Sequence, residues 1–514
     1  MWARNRPYSE TGFSNPIAIR PWSAPRPNQH SIPVWDVHFT TGYWLTRLCF
    51  QRGLGAIYLL AFLIAAKQFI PLLGTRGLLP VDRLLPHLRF WDAPGIFWIN
   101  HSDRFMTAII WCGVALSSTA VTGLSESFGP AVSVTIWFLL WLIYLSLVNV
   151  GQAFYGFGWE TMLLESGFLA IFLGSSDTRP PAALMWLITW LLFRVMFGAG
   201  MIKLRADPCW RDLTCLFYHY ETQPSPNPLS RSFHRLPPSV HKAGVVFNHF
   251  VELIVPWFYF APPPLCNVAG AVTILFQLTL IFSGNLSWLN YLTIVLCIPC
   301  FDDRCLDRFL SVPSSAPQAM NAPHEVAIAG LVALVIWRSI GPARNLFSAR
   351  QIMNASFEPL HLVNTYGAFG AVTRQRLEIV ISGTHAADPD DSAEWQEYEF
   401  KAKPGDPQRP PPFVSPYHYK LDWQMWFLPA SLPQLNPWFM RLGLKLLQGD
   451  TGILALLGHN PFPGKPPKSI RAECYRYQFT QGEERAGGYW RRSYVRDYLQ
   501  PMSEADFERA GFRE

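Results

Sequence analysis

Charge is what this sequence has little of. Charged residues make up 15% of the 514 residues, against about 25% in a soluble domain. No Asp, Glu, Lys or Arg occurs between Glu126 and Glu160, or between Glu252 and Asp302. Stretches of that length and character exclude an ordinary soluble chain and fit hydrocarbon. Lys/Arg-rich runs are absent as well, and a net charge of +6 is too diffuse to predict a nucleic-acid partner. Walker, G-x-G-x-x-G, H-E-x-x-H and G-x-S-x-G motifs are all missing, which removes the enzyme classes those motifs build. No metal or other cofactor is expected. The first 50 residues lack the basic start, apolar core and small-residue cleavage site of a signal peptide; the first span then acts as an uncleaved anchor.

What remains is a chain of two textures. Apolar runs suited to crossing ~30 Å of hydrocarbon fall at 54–73, 106–125, 131–150, 162–174, 182–203, 243–260, 265–283 and 324–340. A ninth, Trp288 to Pro299, is too short for an ordinary crossing and reads as re-entrant or joined to its neighbour. Past Gly341 the composition is that of a water-facing domain, with 20 Lys and Arg and 19 Asp and Glu. There, "QRLEIVISGTH", "WQEYEFKAKPGD" and "ECYRYQFT" alternate as strands do, and "NPWFMRLGLKLLQG" has helical spacing after a capping Asn-Pro. The predicted fold is an α-helical multi-pass membrane bundle followed by a small β-rich, sandwich-like domain. Its divisions are a polar N-terminal arm over 1–53, on the cytosolic side; the bundle over 54–341; the β-rich domain over 342–480; and a tail over 481–514.

Inside the oily part sit charges that hydrocarbon disfavours by roughly 2.5–3.5 kcal/mol each. Glu160 and Glu165 lie in "GWETMLLESGFLAIFLG", about 140° apart on a helix and so not on one face. Arg194, Lys203 and Glu252 (with His249 nearby) supply partners, and the five groups predict charge pairing that locks helices together. The competing readings are a proton or solute path and a buried reaction centre. The next loop sets Cys209 and Cys215 among Arg211, His219 and aromatic residues. The two cysteines are a candidate disulfide if the loop meets an oxidising compartment, and their spacing with His219 is poor for zinc. Asn100, Asn285 and Asn354 head the sequons NHS, NLS and NAS. "YHYKLDWQMWFLPA" concentrates large aromatics, which read first as core of the soluble domain, or as packing against the membrane part; Trp423, Trp426 and Phe427 are also candidates for contact with a client protein.

Four blocks, "GFGWETMLLESGFLAIFL", "GAGMIKLRADPCWRDLTCLFYHYETQPSPNPLS", "NYLTIVLCIPCFDD" and "RPPPFVSPYHYKLDWQMWF", together resemble the lipase maturation factor family. The resemblance spans most of Tyr58–Thr480. It implies a multi-pass protein of the endoplasmic reticulum membrane with a luminal C-terminal domain and an odd number of crossings; the three sequons add the expectation of a glycoprotein. It implies a chaperone-like role in the folding or assembly of secreted clients, certain lipases among them, alongside membrane lipids and other chaperones of that compartment. It supplies no catalytic residue. An intramembrane enzyme acting on a lipid or a client side chain is the alternative reading of the buried carboxylates.

Overall fold

The computed structural model describes residues 42–310, 321–387, 389–390, 392–481 and 488–512. Most of the predicted arm, and part of the linker ahead of the last span, lie outside the described residues.

Among the described residues, seven helices are long and apolar enough to cross a membrane. They are α1 (Trp44–Leu73), α2 (Asp103–Thr122), α3 (Pro130–Val150), α5 (Ala182–Arg205), α6 (Pro238–Phe260), α7 (Leu265–Ser283) and α9 (Ala322–Phe347). The chain is a multi-pass membrane protein. Two shorter helices, α4 (Gly158–Ala170) and α8 (Leu289–Cys297), complete the bundle.

The hydrogen bonds between segments define two faces. Near the start of α1, Trp44 Nε1 donates to Ser176 O and Arg47 to Thr178 O, in the segment after α4. Asp303, after α8, accepts from the backbone N–H groups of Trp44, Leu45 and Thr46. A carboxylate on these orphan donors both satisfies them and complements the helix dipole. On the opposite face, Gln68 near the end of α1 donates to His418 O, and Arg205 at the end of α5 donates to Leu346 O at the end of α9. So α4 and α8 run from the face bearing the C-terminal domain to the other face, although they are only 13 and 9 residues long. Burial explains why this is stable. Every residue of α4 except Phe168 is buried, so bilayer thickness does not set its length, and irregular backbone at depth is tolerated where protein encloses it. The apolar run read as 162–174 is therefore an internal helix beginning at Gly158, and the first long helix starts ten residues before the expected position 54.

The C-terminal domain holds one antiparallel sheet, β1 (Arg376–Thr384), β2 (Gln396–Glu397), β3 (Ser469–Phe479) and β4 (Trp490–Ser503), in the order β2-β1-β3-β4. Among the described residues this is the domain's one sheet, so the β-rich domain takes a form other than the sandwich. Instead of a second sheet, the helix Pro437–Leu447 packs on β3 through Gly443, where a Cβ would come within 2.7 Å of both Ile470 and Phe507. The run "WQEYEFKAKPGD" contributes only the two residues of β2. Asn436 does not cap the helix through its side chain, which instead donates to Ser431 Oγ and Leu432 O. β4 falls in the segment whose sequence reads as a tail. Its middle is almost wholly exposed and rich in Arg, as an edge strand is, so it lacks the apolar alternation that marks a strand.

One continuous apolar core runs from Phe50 and Tyr58 in α1 to Trp438 and Leu447 of the C-terminal domain. The two parts are not separate bodies joined by a linker.

Candidate functional site

The five charges singled out in the apolar segments fall into three ion pairs. Glu160 faces Lys420 at 2.8 Å, with Tyr144 donating to its other oxygen. Lys420 comes from the C-terminal domain, 260 residues later, and its ammonium lies 3.6 Å from the Tyr155 ring centre. Glu165 pairs with Arg194 and accepts from Asn364 N (3.1 Å), Asn364 Nδ2 (3.1 Å) and Tyr366 Oη (2.8 Å). Arg194 also donates to Asn364 O at 2.7 Å. That segment reaches α5 closely because Gly198 has no Cβ; one would stand 2.4 Å from Tyr366 O. Lys203 pairs with Glu252 at 2.5 Å and lies 4.9 Å from the Trp210 ring centre. Glu160 and Glu165 thus belong to separate networks, each closed by the C-terminal part.

Above them, the loop 206–237 forms a tied roof. Cys209 and Cys215 are joined by a disulfide. Asp207 accepts from Cys209 N and Val372 N and pairs with Arg374 at 2.8 Å. The Arg374 hydrogen bonds hold its carboxyl down at about 2. Asp207, Cys209 and Cys215 stand together as a metal set would, but the disulfide consumes the sulfurs and Arg374 the carboxylate. His219 is buried, and burial, with Lys203 nearby, lowers it to about 4, so it is neutral near pH 7. Arg211 stands exposed on the same loop.

Beneath this roof lies a cavity of about 450 Å³, within the ~300–1,000 Å³ usual for small-molecule sites. Its walls come from α4 to α8, the roof loop, the segment 366–371 and Trp423, Trp426 and Phe427. Most of the lining is apolar. Its polar points include Lys203, Glu252, Asn248, Gln277 and Asn290. Asn290 Nδ2 donates to Gln277 Oε1 at 2.8 Å. Among the described residues, Glu252 Oε2, Asn248 Oδ1 and Asn290 Oδ1 have no hydrogen-bond partner. Glu252 sits in a π-helical turn, Phe250–Ile254. Pro256, which lacks an N–H, disrupts the α pattern there, and such turns recur at functional sites.

Trp423 is buried, 5.1 Å from the Trp159 ring, so it packs the joint between bundle and domain rather than facing a partner. Trp426 is half-buried and donates Nε1 to Thr222 O. Phe427, 44% exposed, is the one of the three open to contact. Asn100 and Asn354 are exposed, whereas Asn285 is buried. Its Nδ2 donates to Pro226 O and Pro412 O, and its Oδ1 accepts from Val414 N and Ser415 N.

The family models divide the chain as the structure does. The lipase maturation factor transmembrane domain matches residues 45–308, and the lipase maturation factor C-terminal domain matches 362–500. The chain belongs to the lipase maturation factor family. It is 43% identical to lipase maturation factor 1 of Bos taurus over 511 residues, covering 90% of each chain. To the Homo sapiens protein of the same name it is 40% identical, covering 96% of this chain and 94% of that one. Lipase maturation factor 2 of Rattus norvegicus is more distant, at 29% identity with 89% and 83% covered. No solved structure matches. In this member of the lipase maturation factor family the cavity takes walls from both matched domains. Gln277 and Asn290 could have been singled out from sequence, since each is a polar amide inside a run free of charge. Lys420 and Asn364 could not, because nothing in a polar segment marks them as partners for α4.

Proposed function

We propose that this chain assists the maturation of secreted lipases from the membrane of the endoplasmic reticulum, as a chaperone-like factor and not as an enzyme. Membership of the lipase maturation factor family across both domains carries the reading. A distribution of thiols supports the orientation. The Cys209–Cys215 disulfide lies on the face of the C-terminal domain, where Cys474 is a lone buried thiol in β3, while Cys266, Cys297, Cys300 and Cys305, toward the other face, are free. Disulfides persist in oxidising compartments and not in the cytosol, which supports a luminal reading of the domain face. Asn100, Asn285 and Asn354 all lie on that face too.

The non-catalytic reading rests on where the acids are spent. Glu160 and Glu165 are enclosed, ion-paired and hydrogen-bonded, which suits a scaffold and leaves neither free to transfer a proton. A holdase acts by mass action on partly folded chains, and Phe427 at the cavity rim is the exposed aromatic for that contact. Secretion of active lipase from cells lacking the endogenous factor tests this. The wild-type chain restores activity and Phe427→Ala lowers it at unchanged protein level. Failure of the wild-type chain to raise lipase secretion overturns the reading.

A further inference from the structure

The cavity above the Lys203–Glu252 pair has a chemistry that client handling does not explain. Its walls are largely aromatic and aliphatic, and they lie between transmembrane helices. Among the described residues, three oxygens lack partners there: Glu252 Oε2, Asn248 Oδ1 and Asn290 Oδ1, on residues that are 3%, 6% and 1% exposed. A buried acceptor left unsatisfied is costly, more so when charged, so these three oxygens suit a ligand that donates hydrogen bonds. Asn248 and Glu252 are one turn apart on α6, in and beside the π-helical turn. An anion is disfavoured, because Lys203 is already neutralised by Glu252 and the remaining free oxygen is itself a carboxylate's. A second cation would meet Lys203. What fits is an uncharged head with hydroxyl or amide donors on an apolar body. The route is lateral. α6 packs on α7 along its Phe250–Phe260 end, while toward the domain face the cavity reaches the exposed Thr279 on the outside of α7.

We propose that this cavity binds a neutral amphiphile drawn from the bilayer, its donor-bearing head against Glu252, Asn248 and Asn290 and its apolar body among the helices.

The test uses the full chain in nanodiscs with no client present, so it fails or succeeds separately from the lipase reading. The probe is a monoacylglycerol carrying a photoreactive group and an alkyne on its chain. Labelling is expected to be saturable, to map to peptides of α5–α8, and to be displaced by unlabelled monoacylglycerol but not by the matching fatty-acid anion. Ala199→Trp, which fills the cavity, lowers labelling about tenfold, and Thr279→Trp at the lateral mouth lowers it where the first variant does not fold. Labelling unchanged in a folded Ala199→Trp or Thr279→Trp protein overturns the proposal. So does equal competition by the anion, or displacement by an apolar client peptide alone.

Discussion

Lys420 Nζ lies 2.8 Å from Glu160 Oε1, and both side chains are enclosed, at 1% and 0% exposure. A cation of the C-terminal domain thereby answers a carboxylate deep in the membrane bundle. Breaking such a pair from one side leaves the other charge buried and alone, at a cost of about 3–5 kcal/mol.

Glu160→Gln is therefore expected to reduce the amount of folded protein sharply, read as monodisperse material and as thermal unfolding in detergent. Glu160→Gln with Lys420→Met removes both charges and recovers much of the loss. Losses in the double variant equal to the sum of the singles would mean that the two groups are not coupled.

Trp423 and Phe427 separate stability from contact. Trp423→Ala deletes a buried ring and should cost about 3–5 kcal/mol, lowering protein level. Phe427→Ala, at a half-exposed site, should shift stability by no more than ~0.5 kcal/mol. The reverse ranking in a thermal melt would contradict the packing described.

Cys209→Ser opens a link across six residues. Chain-entropy arguments give about 2 kcal/mol for so short a loop, and the roof over the cavity loses its tie. Alkylation followed by mass spectrometry checks the premise: Cys209 and Cys215 react only after reduction, and reaction before it would refute the bond.

Stability should fall with acid in a defined window. Burial lowers His219, His234 and His361 to about 4 from an ordinary 6.5. The unfolded chain then binds more protons than the folded one between those values, so the stabilisation is whole above pH 6.5 and is lost as pH falls toward 4. Asp207, held at about 2, adds a further loss from 3.8 downward. A melting temperature recorded from pH 7 to pH 4 should decline, and His219→Gln should make the decline shallower. A flat profile would show these histidines to be hydrated.

The partition into bundle and sheet domain was legible because charge and periodicity record solvent directly. Lengths were less so. α4 crosses in 13 helical residues because protein, not lipid, surrounds it, and hydropathy does not tell the two apolar surroundings apart. β4 escaped notice because an exposed, Arg-rich edge strand has no buried face to print on the sequence. Within the site, Glu165, Arg194, Lys203 and Glu252 stand out as charges in oil. Lys420 and Asn364 look ordinary in their polar setting, and only the fold brings them to α4. The aromatic cluster around Trp423 left core, internal seam and partner surface open for a related reason: density of rings marks each of them equally well.

Asn285 has a timing written into its surroundings. Its amide is held by Pro412, Val414 and Ser415, residues that leave the ribosome some 130 positions later. Until then its side chain has only Pro226 O from the earlier chain to hold it; afterwards no sugar can fit on that nitrogen. A glycan found there would be the scar of a chain that lingered open, and its abundance would count the molecules whose last third arrived too late.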